Sequence, residues 1–206
     1  MALPDEVFDE LPSPAWLLDE EYRPDFRTVY GRLAREAHQI DVAIRKIRLS
    51  GVSLGREELG APSRIRVILA EIDILTMASE AESLAARPNG RWRLKLIIEM
   101  LETGTLDVRS APLGGWAPDF SVFSGGELPW STLVGPHWFE RPYPHRGPAL
   151  ASVHHGEGAR RLARRFHHLW EDAHDVRTPL VETLQDGLHR VPIPPDPSPL
   201  DSGSPC

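Results

Sequence analysis

The sequence predicts an α/β domain, a mixed, partly parallel sheet with helices on both faces. Three observations predict it. Residues 64–69, Arg64-Ile65-Arg66-Val67-Ile68-Leu69, end in a run that is apolar on both sides, as a strand covered from above and below requires. Residues 91–102 carry a broad helical stripe (Leu94, Ile97, Ile98, Leu101) and lead through Gly104 into a strand at 106–111. Residues 157–174 hold the clearest pattern in the chain, with Ala159, Leu162, Ala163, Phe166, Leu169, Trp170 and Ala173 marking one face without interruption.

Taken in order, residues 1–23 form an acidic, proline-containing arm, with Pro4, Pro12 and Pro14 forbidding a long helix. Its one apolar knot, Trp16-Leu17-Leu18, pins the arm either to the body or to a partner. Residues 24–190 read as a single α/β domain, and residues 191–206 as a disordered Pro-rich tail. Pro24 and Asp25 open a helix on which Phe26, Val29, Tyr30, Leu33 and Ala37 share a stripe. Residues 40–44, Ile40-Asp41-Val42-Ala43-Ile44, form a β-branched strand that resumes after a bulge through Ile47 and Leu49.

One helical turn falls at 56–59, the second strand at 64–69, and a helix at 76–86 that Pro88-Asn89-Gly90 break. After the strand at 106–111 come a strand through Phe120, Val122 and Phe123, a turn at Ser124-Gly125-Gly126-Glu127, and a return strand at 130–134. A proline-crowded loop, a last strand at 150–153 and the helix at 157–174 follow, then a short amphipathic turn beyond Pro179. Helix-to-strand alternation early and consecutive strands late place parallel pairs first and antiparallel pairs after them.

At 206 residues and 41% hydrophobic content the chain can bury a substantial core. No apolar run approaches the roughly 18 residues of a membrane span, and residues 1–6 do not read as a secretory signal, so the expectation is a cytoplasmic protein without membrane contact. The lone cysteine, Cys206, forms no internal disulfide. The net charge of −7 is concentrated: the first 25 residues hold eight acids and one base, and the remaining 22 acids and 22 bases cancel. A neutral body argues against strong non-specific nucleic-acid binding, which runs on phosphate neutralisation.

The layout from the first helix through Ile40-Asp41-Val42-Ala43-Ile44, Ser50-Gly51, Arg64-Ile65-Arg66-Val67-Ile68-Leu69, Leu101-Glu102-Thr103-Gly104 and Leu106-Asp107-Val108-Arg109 resembles the phospholipase D-like superfamily. So does Phe166-His167-His168-Leu169-Trp170-Glu171 in the closing helix, and the resemblance covers about residues 26–176. In that family a strand after the arginine-bearing one carries the histidine and lysine of an HxK(x4)D motif, and a Gly-Ser-x-x-Asn turn follows. Here Asp119-Phe120-Ser121-Val122-Phe123 stands at the first position and Gly135-Pro136-His137-Trp138 at the second. The family's chemistry needs an imidazole nucleophile and a lysine on the phosphoryl oxygens. The resemblance therefore implies a degenerate, non-catalytic copy of the fold, without a cofactor. It also allows a homodimer, since single-motif members of the family pair two copies across a two-fold axis.

Two groups of residues are candidates for binding. Trp116, Trp130, His137, Trp138, Phe139, Arg141 and Tyr143 make the densest aromatic cluster, with the aromatic and arginine content of a recognition surface. Arg160, Arg161, Arg164 and Arg165 make a basic face opposite the apolar stripe of the last helix, fit for phosphate contact. The candidate binding residues are thus Arg109, Trp116, His137, Trp138, Arg141, Arg160, Arg161 and Arg164. His167 and His174, or His168 and Asp172, have helical spacing, but no H-E-x-x-H or cysteine pattern accompanies them; they are expected to edge the core and not to bind metal.

These observations lead to an expected non-catalytic module that binds a partner protein or small ligand, within a bacterial regulatory or defence assembly. Two alternatives remain: a phosphodiesterase or nuclease using a displaced histidine (His137 or His154), and a nucleic-acid-binding regulator acting through the Arg160–Arg165 face.

Overall fold

The computed structural model describes residues 15–16, 26–49, 64–112, 119–125, 131–135 and 151–192. In chain order the elements are β1 (Ala15–Trp16), α1 (Phe26–Glu36), β2 (Gln39–Ile44), β3 (Arg64–Leu69), α2 (Ile74–Ala85), α3 (Pro88–Glu102) and β4 (Leu106–Ser110), followed by β5 (Phe120–Ser124), β6 (Ser131–Val134), β7 (Ser152–His155), α4 (Gly156–Asp172), β8 (His174–Asp175) and α5 (Arg177–Arg190).

The strands form one mixed sheet of eight, in the order β1-β7-β6-β5-β2-β3-β4-β8. Its centre is parallel: β2 pairs with β3 from Gln39↔Arg64 to Ile44↔Leu69, and β3 with β4 from Ile65↔Leu106 to Leu69↔Ser110. The remaining pairs are antiparallel. The sheet is thus α/β and partly parallel, with helices on both faces.

Alternation along the strands sorts side chains into two cores. Ile40, Val42 and Ile44 of β2, Ile65, Val67 and Leu69 of β3, and Leu106 and Val108 of β4 face α1, α2, α3 and α5 in one large apolar cluster. On the other face Ala43, Ile68, Phe120 and Val122 meet Phe166, Leu169 and Trp170 of α4 in a smaller one. Tyr30 of α1 seats edge-on against Phe123, ring centroids 5.2 Å apart.

Several expectations change in the structure. The helix before Pro88-Asn89-Gly90 ends at Ala85 as expected, but the three residues are also the first turn of α3, which starts at Pro88 and not at Arg91; proline costs nothing there because an amide at that position has no intrahelical acceptor. Ile47 and Leu49 do not resume β2, which ends at Ile44; Leu49 is instead buried beside α2, its amide donating to Glu80 Oε2 at 2.6 Å.

The turn expected beyond Pro179 is the first part of a fourteen-residue helix, α5. Its Gly187 lies so close to α2 that an added Cβ would stand 2.6 Å from the Ala81 Cβ. The last strand sits at Ser152–His155, shifted from 150–153. The helix expected to reach residue 174 stops at Asp172, because His174 and Asp175 turn back to pair with Ser110 and Arg109. From the expected arm, Ala15 and Trp16 pair with Val153 and Ser152 at the opposite sheet edge. The turn at 56–59, residues 126–130 of the hairpin and the C-terminal tail from 193 lie outside the described residues.

Two local devices fix helix ends. Asp73 caps α2: its carboxylate accepts from the Thr76 amide at 3.0 Å and the Thr76 hydroxyl at 2.6 Å, and these bonds hold its pKa below the usual carboxylate range. Gly104 takes φ of +74° after α3, a conformation that side chains disfavour, and turns the chain directly into β4.

Candidate functional site

On the face covered by α4, one row of side chains runs across six strands: His154, Thr132, Val122, Asp41, Arg66 and Asp107 are successive cross-strand partners. A buried strand that carries a charge needs a partner for it, and here the register supplies one. Arg66 grips Asp41 with both arms of its guanidinium, Nε donating to Oδ1 at 2.7 Å and Nη2 to Oδ2 at 2.6 Å. Gln39, two residues before Asp41 and on the same face, donates its amide to the same two oxygens at 3.0 and 3.1 Å. Both carboxylate oxygens are therefore committed.

Only 15% of the Arg66 side chain is exposed. The guanidinium carbon lies 5.1 Å from the Phe166 ring centroid and 5.0 Å from that of Trp170, and those two rings stack on each other at 5.7 Å. A cation at this distance from an aromatic face is held by the ring quadrupole as well as by its carboxylate. Because Phe166 and Trp170 come from α4, the helix is fastened over the ion pair.

Beside this anchor, toward the start of β2, a cleft of about 440 Å³ opens between sheet and helix. It is lined by Gln39, Asp41, Arg66, Arg160, Ala163, Arg164 and His167. The helical contribution has spacing i, i+3, i+4, i+7, one stripe of α4 adjoining its buried stripe. Asp41 and Arg66 neutralise each other, so Arg160 and Arg164 leave the lining with two positive charges. Arg160 forms no hydrogen bond among the described residues. Arg164 Nη2 donates to Glu157 Oε1 at 2.8 Å on the solvent side, and the Glu157 carboxyl is held below its usual range by that bond, by the charge of Arg164, and more weakly by Arg161 and Arg160. His167 reaches Glu171 at 3.1 Å.

Of the expected binding residues, Arg160 and Arg164 meet in this cleft. Arg161 does not line it; it is well exposed and 3.7 Å from Glu157. Arg109 is used elsewhere: its guanidinium sits 4.3 Å over the Trp170 ring and donates to the Trp170 carbonyl at 3.0 Å, tying β4 to the end of α4. Trp116, Trp130, His137, Trp138, Phe139, Arg141 and Tyr143 lie outside the described residues.

His167 and His168 do not edge the core. Both are well exposed, and His174 leaves the helix for β8. Among the described residues no three His, Cys, Asp or Glu side chains come together as metal ligands. His154 Nε2 lies 2.8 Å from Ser152 Oγ, and His155 Nδ1 lies 2.9 Å from Ser131 Oγ. Burial pushes the pKa of each imidazole down, and for His155 the neighbouring His154 adds to it.

Sequence reasoning passed over Gln39, Asp41 and Arg66. A signal was present: Asp41 and Arg66 are charged residues in the interior of two otherwise apolar strands. What it could not supply is the register that sets one beside the other.

No family model matches the chain, and no curated protein is significantly similar to it. Among solved structures the chain is similar to TrmBL2, an archaeal chromatin protein whose structure shows a novel mode of DNA binding, at 14% identity and a TM-score of 0.42. The match covers 73% of this chain and 50% of that one, so the chain spans half the length of the structure it matches. Among the described residues no helix is long and apolar enough to cross a membrane.

Proposed function

We propose that this protein is a non-catalytic binding module, on a degenerate phospholipase D-like scaffold, that takes a small acidic ligand in the cleft between β2, β3 and α4 and serves a regulatory assembly. The observation that carries this reading is the cleft itself: Arg160 and Arg164 project over an Asp41 whose oxygens are all engaged by Arg66 and Gln39. A carboxylate so fully hydrogen-bonded is a poor general base, whereas two guanidinium groups one helical turn apart are good anion receptors.

The test is a titration of the full chain with small phosphates and carboxylates, read by the NMR shifts of the backbone amides in the Arg160–His167 turn. Saturable shifts that vanish in Arg160→Ala support the reading. Shifts unaltered in that variant, or no shifts with any anion, overturn it.

A second reading, contact with nucleic acid, is favoured by the exposure of Arg160, Arg161, Arg164 and Arg165 along α4. It requires a duplex or single strand to bind with an affinity that falls steeply as salt rises, because each phosphate contact releases counterions.

A further inference from the structure

We infer, resting on the cleft reading above, that the ligand is a phosphomonoester in its doubly ionised form, and that it binds by taking Arg164 away from Glu157. Charge is the first argument. The cleft lining carries Asp41, Arg66, Arg160 and Arg164, and once the buried pair has cancelled, two positive charges remain. A phosphomonoester near neutral pH carries between about −1.5 and −2, so it matches that surplus, whereas a phosphodiester with a single charge leaves one guanidinium unanswered.

Geometry is the second argument. Arg160 and Arg164 approach one turn apart from one stripe of α4, so two guanidinium donors converge on a cleft whose strand floor of Gln39, Asp41 and Arg66 is already hydrogen-bonded within itself. Guanidinium forks are suited to two oxygens each, and a terminal phosphate offers three.

Glu157 supplies the third argument. In the structure its carboxylate already occupies Arg164 at 2.8 Å and lies 3.7 Å from Arg161, with Arg160 acting on it at longer range. It thus sits where an anion from solvent would compete for the same nitrogen. The pair is exposed, with 60% of the Arg164 side chain and 57% of that of Glu157 open to solvent. Exposed pairs of this kind are weak, so an incoming dianion displaces the carboxylate at little cost. Glu157 therefore acts as a resident competitor that sets the affinity of the cleft and discourages ligands of lower charge.

The experiment titrates the full chain, near pH 8, with methyl phosphate, dimethyl phosphate and malonate, following the amides of the Arg160–His167 turn and the side-chain amide of Gln39 by NMR. At that pH methyl phosphate is a dianion and dimethyl phosphate a monoanion of similar size. Methyl phosphate is expected to bind about tenfold more tightly than dimethyl phosphate. Glu157→Gln should tighten methyl phosphate by about two- to fivefold, the span of a weak exposed ion pair.

Equal affinity for the two phosphates overturns the dianion assignment. Unchanged or weakened binding in Glu157→Gln overturns the competition. Binding of malonate but not methyl phosphate, lost in Arg160→Ala, overturns the phosphate assignment while leaving the cleft reading in place. Absence of binding by all three anions removes both.

Discussion

The three parallel strands at the centre of the sheet present two very different faces. Toward α1, α2, α3 and α5 they show aliphatic side chains, with Ser110 at the end of β4 as the exception, and residues such as Val42, Val67 and Leu69 are fully buried there. Toward α4 the same strands show Gln39 and Asp41, Arg64 and Arg66, Asp107 and Arg109, with Ala43 and Ile68 as the apolar remainder. Among the described residues four helices pack on the first face and one on the second. The first face stabilises by excluding water, the second by pairing charges beneath a single helix, and the cleft between β2, β3 and α4 opens on the second. Polar groups can be tolerated on that face because Arg66 and Asp41 satisfy each other and the Phe166 and Trp170 rings lie against the Arg66 and Arg109 guanidinium groups.

The largest expected effect breaks the charged face from within. Asp41→Ala leaves a mostly buried Arg66 without its carboxylate and should cost about 3–5 kcal/mol in urea denaturation. The double variant Asp41→Leu with Arg66→Met should cost clearly less, since no charge is left stranded. A single variant within about 1 kcal/mol of wild type would mean that water reaches the pair freely.

On the opposite face, Leu184→Ala should cost about 2–5 kcal/mol by opening a cavity in the large core. Anion titration of the cleft should be unchanged in that variant, because Leu184 sits across the sheet from it. Altered affinity would show that the two faces are coupled through the strands.

A pair of glycines gives a finer contrast. Gly187→Ala places a Cβ 2.6 Å from that of Ala81, where α5 and α2 touch, and should cost about 1–3 kcal/mol. Gly158→Ala on α4 meets nothing closer than 3.7 Å and should stabilise by about 0.4–1 kcal/mol. Thermal melts of the two variants moving in the same direction would contradict the difference in packing.

The smallest effect is a dependence on pH. The His154 and His155 imidazoles have folded pKa values below the ordinary 6.5, because burial disfavours the charged ring. The unfolded chain therefore binds more protons just below that value. Stability is full above about pH 6.5 and declines as pH falls through the folded pKa values. His154 stands on the α4 face and His155 on the other, so His154→Asn and His155→Asn, followed by denaturation between about pH 5 and 7.5, report on each face in turn. A stability curve identical to wild type in both would exclude these rings as its source.

How much of this was legible beforehand follows from the range of each signal. The parallel centre and the buried stripe of α4 could be read because strand and helix periodicity is written within a few neighbouring residues. α5 was obscured by Pro179, which suits a first helical turn as well as a loop. β1 and β8 are two residues long, too short to show any alternation. In the candidate site, Arg160 and Arg164 were visible as a basic helix face, yet nothing local set them apart from Arg161.

The amino-acid sequence by itself determined the class of the fold, since apolar spacing in each segment commits it to helix or strand and to a covered side. Tertiary structure alone decided the cleft. Asp41 and Arg66 are 25 residues apart, and Arg160 lies far beyond both. They meet only because β2 and β3 align in one register and because Phe166 and Trp170 fasten α4 across them. Register and helix placement are settled by packing over the whole sheet, which no short window of residues contains.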